Sequence, residues 1–435
     1  MVWGTRAGVD DLLQKLQQPK TGASLCVLST RKISEADAVK LATAIASNST
    51  LQELYFSGHK LGADGLRAFA DCLAVNTALK HLSIGEDALG DTGVAALSAG
   101  IARNAASAVE VWDLEHKSIG VAGAAAIGRM LATNTSLRSL TLARNTIGDD
   151  GVQALVAALP ASPSARLDTL TLTETAISGA ALDSLAAWLR APQCTLTTLN
   201  LSFNALSSAS AAFFEALAVN KSLQKLLLKD CKLSPEHGAA LAAALRANDT
   251  LQHVDVSDNA LGDAGCRALA DALAVNQSLQ ALALDNAGAS DATAVAFGNV
   301  LAAADRSSLR FLDMSKSGLS HVGVAALLTA PSVRRLRLFH NALGDGLATV
   351  LPVLAANTTI EYLDLGANAL HGALSVALFD ALHAHPSLQT LEMGGNSLGE
   401  QGHEALERLK SVNPSLDVAV DKNAQNEDGG FDMSS

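Results

Sequence analysis

The stretch "PSVRRLRLFHNALGD" (331–345) places Arg334, Arg335 and Arg337 within four positions and follows them with Phe339 and His340. A guanidinium can hold a carboxylate or a phosphate with two parallel N–H donors, and arginine and aromatic side chains dominate the energetics of protein–protein contacts. Corresponding stretches elsewhere, "TSLRSLTLARNTIGD" (135–149) and "QSLQALALDNAGASD" (277–291), mostly carry small or acidic residues at those places. A second concentration lies earlier in the chain: Glu53, Tyr55, His81, Glu86, Asp113, Glu115 and His116. That acidic, aromatic set could meet a basic partner, or could be the solvated face of an acidic protein.

No catalytic motif accompanies these residues. The chain has no G-x-x-x-x-G-K-[ST], H-E-x-x-H, G-x-S-x-G or G-x-G-x-x-G, so neither a phosphate cradle nor a nucleophile elbow is expected. "DVSDNALGD" (255–263) is spaced like the start of a calcium loop, but Ala260 stands where glycine is needed and Cys266 where a bidentate glutamate is needed. Of the 11 histidines, only His383 and His385 come near ligand spacing, and at i and i+2 near a helix end they point apart. Cys26, Cys72, Cys194, Cys231 and Cys266 are odd in number and form no C-x-x-C, which fits neither a disulfide framework nor a zinc site. No cofactor and no metal are expected.

Composition narrows the partners. The 31 basic and 43 acidic residues give a net charge of −12, against the basic excess that nucleic acid requires. No apolar run of membrane-spanning length and no signal-peptide pattern stands out. We expect a monomeric protein of the reducing cytoplasm, with the nucleus or cytoskeleton as further settings, binding neither membrane nor nucleic acid.

What must position the candidate residues is a repeat. The pattern L-x-x-L-x-L-x-x-N-x-L starts at Ala23, Leu51, Leu79, Val109, Leu137, Leu167, Leu196, Leu223, Leu251, Leu279, Leu309, Val333, Ile360 and Leu388, in steps of 24 to 30 residues. A fixed period of this size means a solenoid, in which each unit buries its apolar face only against its neighbours. Each copy alternates first, as in "LRSLTLA" (137–143), and then turns helical, as in "GDAGCRALADALAVNQSL" (262–279). There Asp263 is expected to cap a helix carrying Cys266, Leu269 and Leu273 on one face. Short strands separated by helices must run parallel. The fold class is therefore α/β, a horseshoe-like solenoid with strands on the concave face and helices on the convex face.

The L-x-x-L-x-L-x-x-N-x-L frame at this period resembles the ribonuclease-inhibitor-like class of leucine-rich repeats, over about residues 23–416. The frame asparagine is present at Asn145, Asn204, Asn259, Asn341, Asn368 and Asn396, with Cys231 as a familiar substitute. Copies with Arg31, His59, Asp87, Lys117, Thr175, Ala287 or Ser317 there lack an internal amide, and irregular turns are expected in them. Val9, Leu12, Leu13 and Leu16 suggest a cap helix within 1–22, followed by a solenoid of about 14 repeats and a half-unit over 23–420, then an acidic disordered tail at 421–435. Six of seven N-x-[ST] sequons recur just before the first Leu of a copy, which repeat grammar explains without glycosylation.

Positions 3, 5 and 7 of each strand unit face the concave side. The copies that start at Leu167 and Leu196 present Thr169, Thr171, Thr173, Thr198, Asn200 and Ser202 on that strip, which are small and polar. Later copies bring Phe311, Arg335 and Tyr362 into one row and Asp313, Arg337 and Asp364 into the next, bordered by Lys316, Phe339 and His340. These nine are the candidate partner-binding residues. Arg337 between two acids also reads as an internal charge ladder. The 24-residue step just before this region should disturb the local packing.

The expected function is a non-catalytic scaffold that binds a protein on its concave face. The same resemblance implies an alternative, GTPase activation of the Ran GTPase-activating type. Those proteins supply a loop arginine in an early repeat and carry a long acidic tail. No matching loop insertion is found, and the tail holds only Asp421, Glu427, Asp428 and Asp432, so no catalytic residue is carried over. A structural part in a cytoskeletal or flagellar assembly is a further alternative.

Overall fold

The computed structural model describes residues 7–17, 23–157, 159–161, 166–304 and 307–420. The acidic tail at 421–435 lies outside the described residues, as does most of the segment around the first helix. The chain forms two compact units, Met1–Ala216 and Leu217–Ser435.

In the first unit a helix, Asp10–Leu16, buries Val9, Leu12 and Leu16, with Leu13 half-buried. Then follow β1 (Ser24–Cys26), β2 (Glu53–Ser57), β3 (His81–Gly85), β4 (Val111–Asp113), β5 (Ser139–Thr141), β6 (Thr169–Thr171) and β7 (Thr198–Asn200). Each pairs in parallel with the next. The second unit repeats the scheme with β8 (Lys225–Leu227), β9 (His253–Asp255), β10 (Ala281–Ala283), β11 (Phe311–Asp313), β12 (Arg335–Arg337), β13 (Tyr362–Asp364), β14 (Thr390–Glu392) and β15 (Asp417–Ala419), again all parallel. A helix separates each strand from the next, so the α/β leucine-rich-repeat solenoid is the observed architecture.

The frame leucines build the core. Leu137, Leu140 and Leu142 of one copy, and Leu251, Val254 and Val256 of another, are at most 2% exposed; each such side chain stabilises the fold by roughly 1.5–3 kcal/mol. Small residues let the helices touch: a Cβ on Gly100 would lie 2.3 Å from the Ala70 carbonyl oxygen, and one on Gly298 2.4 Å from that of Ala326. The 24-residue step is taken up by a helix of 7 residues, His321–Leu327, against 13 for the preceding Asp291–Ala303.

Buried asparagines hold several of the turns, and for the copies of Lys117, Thr175 and Ser317 they correct the expectation of irregular ones. Asn259 donates through Nδ2 to the carbonyls of Leu228, Val256 and Ser257 (2.8–3.0 Å), and its Oδ1 accepts the N–H groups of Cys231 and Leu233 in the preceding copy. Asn145 serves Lys117 and Ile119 likewise, Asn204 serves Thr175 and Ile177, and Asn341 serves Ser317 and Leu319. The copies that carry Lys117, Thr175 and Ser317 at the frame position are thus satisfied by their successors' asparagines. Asn368 follows a copy that turns instead through left-handed Gly344, and its fully buried Oδ1 has no donor.

A second ladder runs through the sequon asparagines. Asn276 donates to Leu245 O and Asn248 O and accepts from the N–H groups of Ser278 and Leu279. Asn134, Asn220, Asn248 and Asn276 are buried, so their amides are structural groups. The expected cap role of Asp263 is not found: Leu261 precedes the helix Gly262–Ala272 without a side-chain cap. The Asp263 carboxylate instead accepts from the N–H and hydroxyl of Ser290 and the hydroxyl of Thr293, one copy later. These three bonds hold its pKa below the usual carboxylate range, with Thr293 foremost. A helix-cap signature, taken alone, does not reveal which copy the carboxylate serves.

Candidate strand-face site

The second unit assembles the nine predicted residues on β11, β12, β13 and the turns that follow. Register sets Phe311 opposite Arg335 opposite Tyr362, and Asp313 opposite Arg337 opposite Asp364. The Arg337 guanidinium lies 3.5 Å from Asp313 Oδ2 and 3.6 Å from Asp364 Oδ2, ion-pair rather than hydrogen-bond distances. Both carboxylates are almost wholly buried, at 5% and 3% exposure.

Each aspartate also does local structural work that sequence reasoning missed. Asp313 Oδ1 accepts the Ser315 N–H (2.9 Å) and hydroxyl (2.6 Å), and Asp364 Oδ1 accepts the Gly366 N–H (2.9 Å). Asp113, Asn200 and Asp255 bond the N–H two residues on in the same way. The signal was legible as Asp or Asn between the last two frame apolar residues, since a short side-chain acceptor there can close the turn.

Burial pushes the Asp313 carboxyl up to about 6, against the opposing pull of Arg337 and Ser315. Burial likewise raises Asp364, opposed by the Gly366 N–H and Arg337. For Arg337, burial works to lower the pKa but the two aspartates outweigh it, and the net shift is upward. Glu392 on β14 continues the row opposite Asp364; burial first, then Asp364 and Asp417, raise it. Among the described residues no hydrogen bond or ion pair reaches the Glu392 side chain.

Around this ladder, Arg335 lies over the Tyr362 ring at 5.3 Å from its centroid, and burial followed by Asp364 raises the phenol's pKa. Arg334 pairs with Glu361 at 2.6 Å, and Lys316 with Asp285 at 3.1 Å. Phe339 packs over Gly366, where a Cβ would meet its ring at 2.8 Å. His340 is exposed beside it, ring centroids 5.9 Å apart.

The first unit gathers only part of the second candidate set. Tyr55 and His81 rings are 4.7 Å apart, and Glu53 is the register mate of His81. Ser57, Ser83 and Asp113 form a hydrogen-bonded chain across three strands. Glu115 is paired with Arg144 at 3.3 Å, and Arg144 also with Glu174 at 2.9 Å. His116 lies 3.7 Å from Asp87, and Glu86 stands half-exposed at the turn after β3. Part of this acidic rim is therefore neutralised internally. Of the histidine pair, His383 is exposed and donates to Asp380 O, while His385 is buried against Leu354 O. Among the described residues, no group of three or more His, Cys, Asp and Glu is placed to hold a metal ion, and no helix is long and apolar enough to cross a membrane.

Comparison with known proteins places this architecture. A "Leucine Rich repeat" family model matches residues 47–70, 133–156, 193–213 and 247–270. The matched stretches are leucine-rich repeats, in keeping with the solenoid fold. The chain resembles ribonuclease inhibitors: it is 29% identical to the ribonuclease inhibitor of Sus scrofa over 259 residues, 52% of this chain and 56% of that one. It is also 29% identical to NACHT, LRR and PYD domains-containing protein 5 of Homo sapiens over 218 residues, 49% of this chain and 18% of that one. The chain thus spans about half the length of the ribonuclease inhibitors it matches, and much less of the NACHT protein. Among solved structures, a chain of the TLR13–ssRNA13 complex matches with a TM-score of 0.52 at 15% identity, covering 94% of this chain and 55% of that one. That likeness is one of fold.

Proposed function

We propose that the protein is a non-catalytic scaffold that captures a protein partner on the strand-lined face of its second unit. One observation carries this reading: on β11–β13 arginines, aromatic rings and carboxylates occupy consecutive register positions that hold Thr, Ser and Asn on β5–β7. Arg335, Tyr362, Phe339 and His340 supply side-chain types enriched among interface anchors. The similarity to proteins named for inhibiting a ribonuclease supports a binding role. We expect a cytoplasmic, monomeric protein, in which Cys72, Cys231 and Cys266 are buried.

Affinity capture from the native cell, followed by mass spectrometry, tests the reading with wild type, Arg335→Ser/Tyr362→Ser and Thr171→Ala/Asn200→Ala as baits. The first variant should lose a discrete partner that the other two retain, while all three still melt cooperatively as folded proteins. Identical partner lists from all three folded baits would reject the face as the binding surface.

A further inference from the structure

The segment "HAHPSL" (383–388) runs in the register of "AVNQSL" (274–279), with His385 where the sibling copies carry the ladder asparagine. The imidazole reproduces both halves of the amide's job. Its Nε2 is 3.1 Å from Leu354 O, as Asn276 Nδ2 is 2.7 Å from Leu245 O. Its Nδ1 accepts the Leu388 N–H at 3.0 Å and the Ser387 N–H at 3.4 Å, as Asn276 Oδ1 accepts those of Leu279 and Ser278. His385 and Leu388 are both buried, at 7% and 4% exposure. These partners require the neutral ring with its proton on Nε2.

We propose that His385 is a pH-sensitive latch, which ties the helix Leu347–Ala356 to β14 at neutral pH and releases that junction in mild acid. The imidazolium carries protons on both nitrogens, so Nδ1–H would face two N–H donors. The Leu388 amide would then be buried with no acceptor, a state the fold avoids by opening. An asparagine cannot titrate, so the junctions held by Asn76, Asn248 and Asn276 lack this response.

The surroundings add no competing charge at the ring. The helix Leu347–Ala356 brings no titratable side chain. At the end of the helix Gly372–Leu382, Asp380 is paired with Arg408 at 3.8 Å, and its carbonyl takes the His383 Nδ1–H at 2.8 Å. On β14 the titratable group is Glu392, facing Asp364. Burial lowers the His385 pKa from its ordinary 6.5, with the Leu354 carbonyl opposing. A folded-state value below the unfolded one means the stabilisation is complete above pH 6.5 and is lost as pH falls from there through the folded value. Glu392 and Asp364, both raised, have the opposite sign. The inference is independent of any partner.

Hydrogen–deuterium exchange of the full chain at pH 7.5 and 5.5, corrected for intrinsic rates, tests it. Peptides from 386–420 should lose on the order of tenfold protection in acid relative to 223–330, the scale set by one buried donor left without an acceptor. His385→Asn, which installs the siblings' own residue, should fold and show no such loss. The same acid response in His385→Asn, or none in wild type, would overturn the latch. An NMR titration of wild type gives a second reading: a pKa at or above 6.5, or the proton on Nδ1, would also overturn it.

Discussion

The strand faces of β5–β7 and β11–β13 are built on the same leucine frame and differ only in the residues between the leucines. On the first, Ser139, Thr141, Thr169, Thr171, Thr198 and Asn200 are small, polar and half-exposed. On the second, Asp313 and Asp364 are buried against a guanidinium, and two arginines and a tyrosine stand in register. A repeat that takes its stability from the frame leaves the intervening positions free to vary. The second face has exchanged that freedom for interdependence: its buried carboxylates lean on Arg337 as well as on the turn donors of Ser315 and Gly366.

The largest expected effect tests that interdependence. Arg337→Met should destabilise the protein by about 3–5 kcal/mol in urea unfolding at pH 8, because two buried carboxylates lose their cation. Adding Asp313→Asn and Asp364→Asn should recover much of the loss. A change below about 1 kcal/mol would mean that the ladder is no more coupled than the threonine face.

The pH dependence should come next in size. Since Asp313 is raised to about 6 in the folded state, the native protein binds its proton more tightly than the unfolded chain. Its contribution therefore turns unfavourable as pH rises from about 4 through 6. Asp313→Asn should remove this, so the variant's melting temperature relative to wild type should rise between pH 4.5 and 7. A flat difference would show that the carboxyl stays ionised throughout.

Smaller still, Tyr362→Leu should lower stability by about 0.5–1 kcal/mol through the lost contact with Arg335. Thr171→Val on the other face should change it by less than about 0.5 kcal/mol. If the second exceeds the first in thermal denaturation, the contrast between the faces is not energetic.

Much of this was legible in the chain. The frame leucines and their period gave the parallel strands, and alternation from Arg335 to Arg337 predicted the two rows that register produced. The roles of individual polar groups were not legible. Asp263 looked like a cap for its own helix and serves Ser290 and Thr293 instead. Lys117 and Thr175 looked like defects, yet Asn145 and Asn204 of the next copies complete them. A hydrogen bond between residues 27 to 30 apart depends on how copies stack, and a linear pattern carries no distance across the stack.

The sequence by itself determined the fold class, the copy boundaries and which side chains share a face, because a period of two residues in each strand and one leucine frame per copy leave a single way to bury the apolar surface. Only the tertiary structure decided which polar groups are buried and whom they satisfy: that Asp313 and Asp364 close their own turns while flanking Arg337, and that His385 stands in for an asparagine. The physical reason is that desolvation and hydrogen-bond geometry are set by atoms brought close in three dimensions, whereas hydrophobic periodicity is written along the chain.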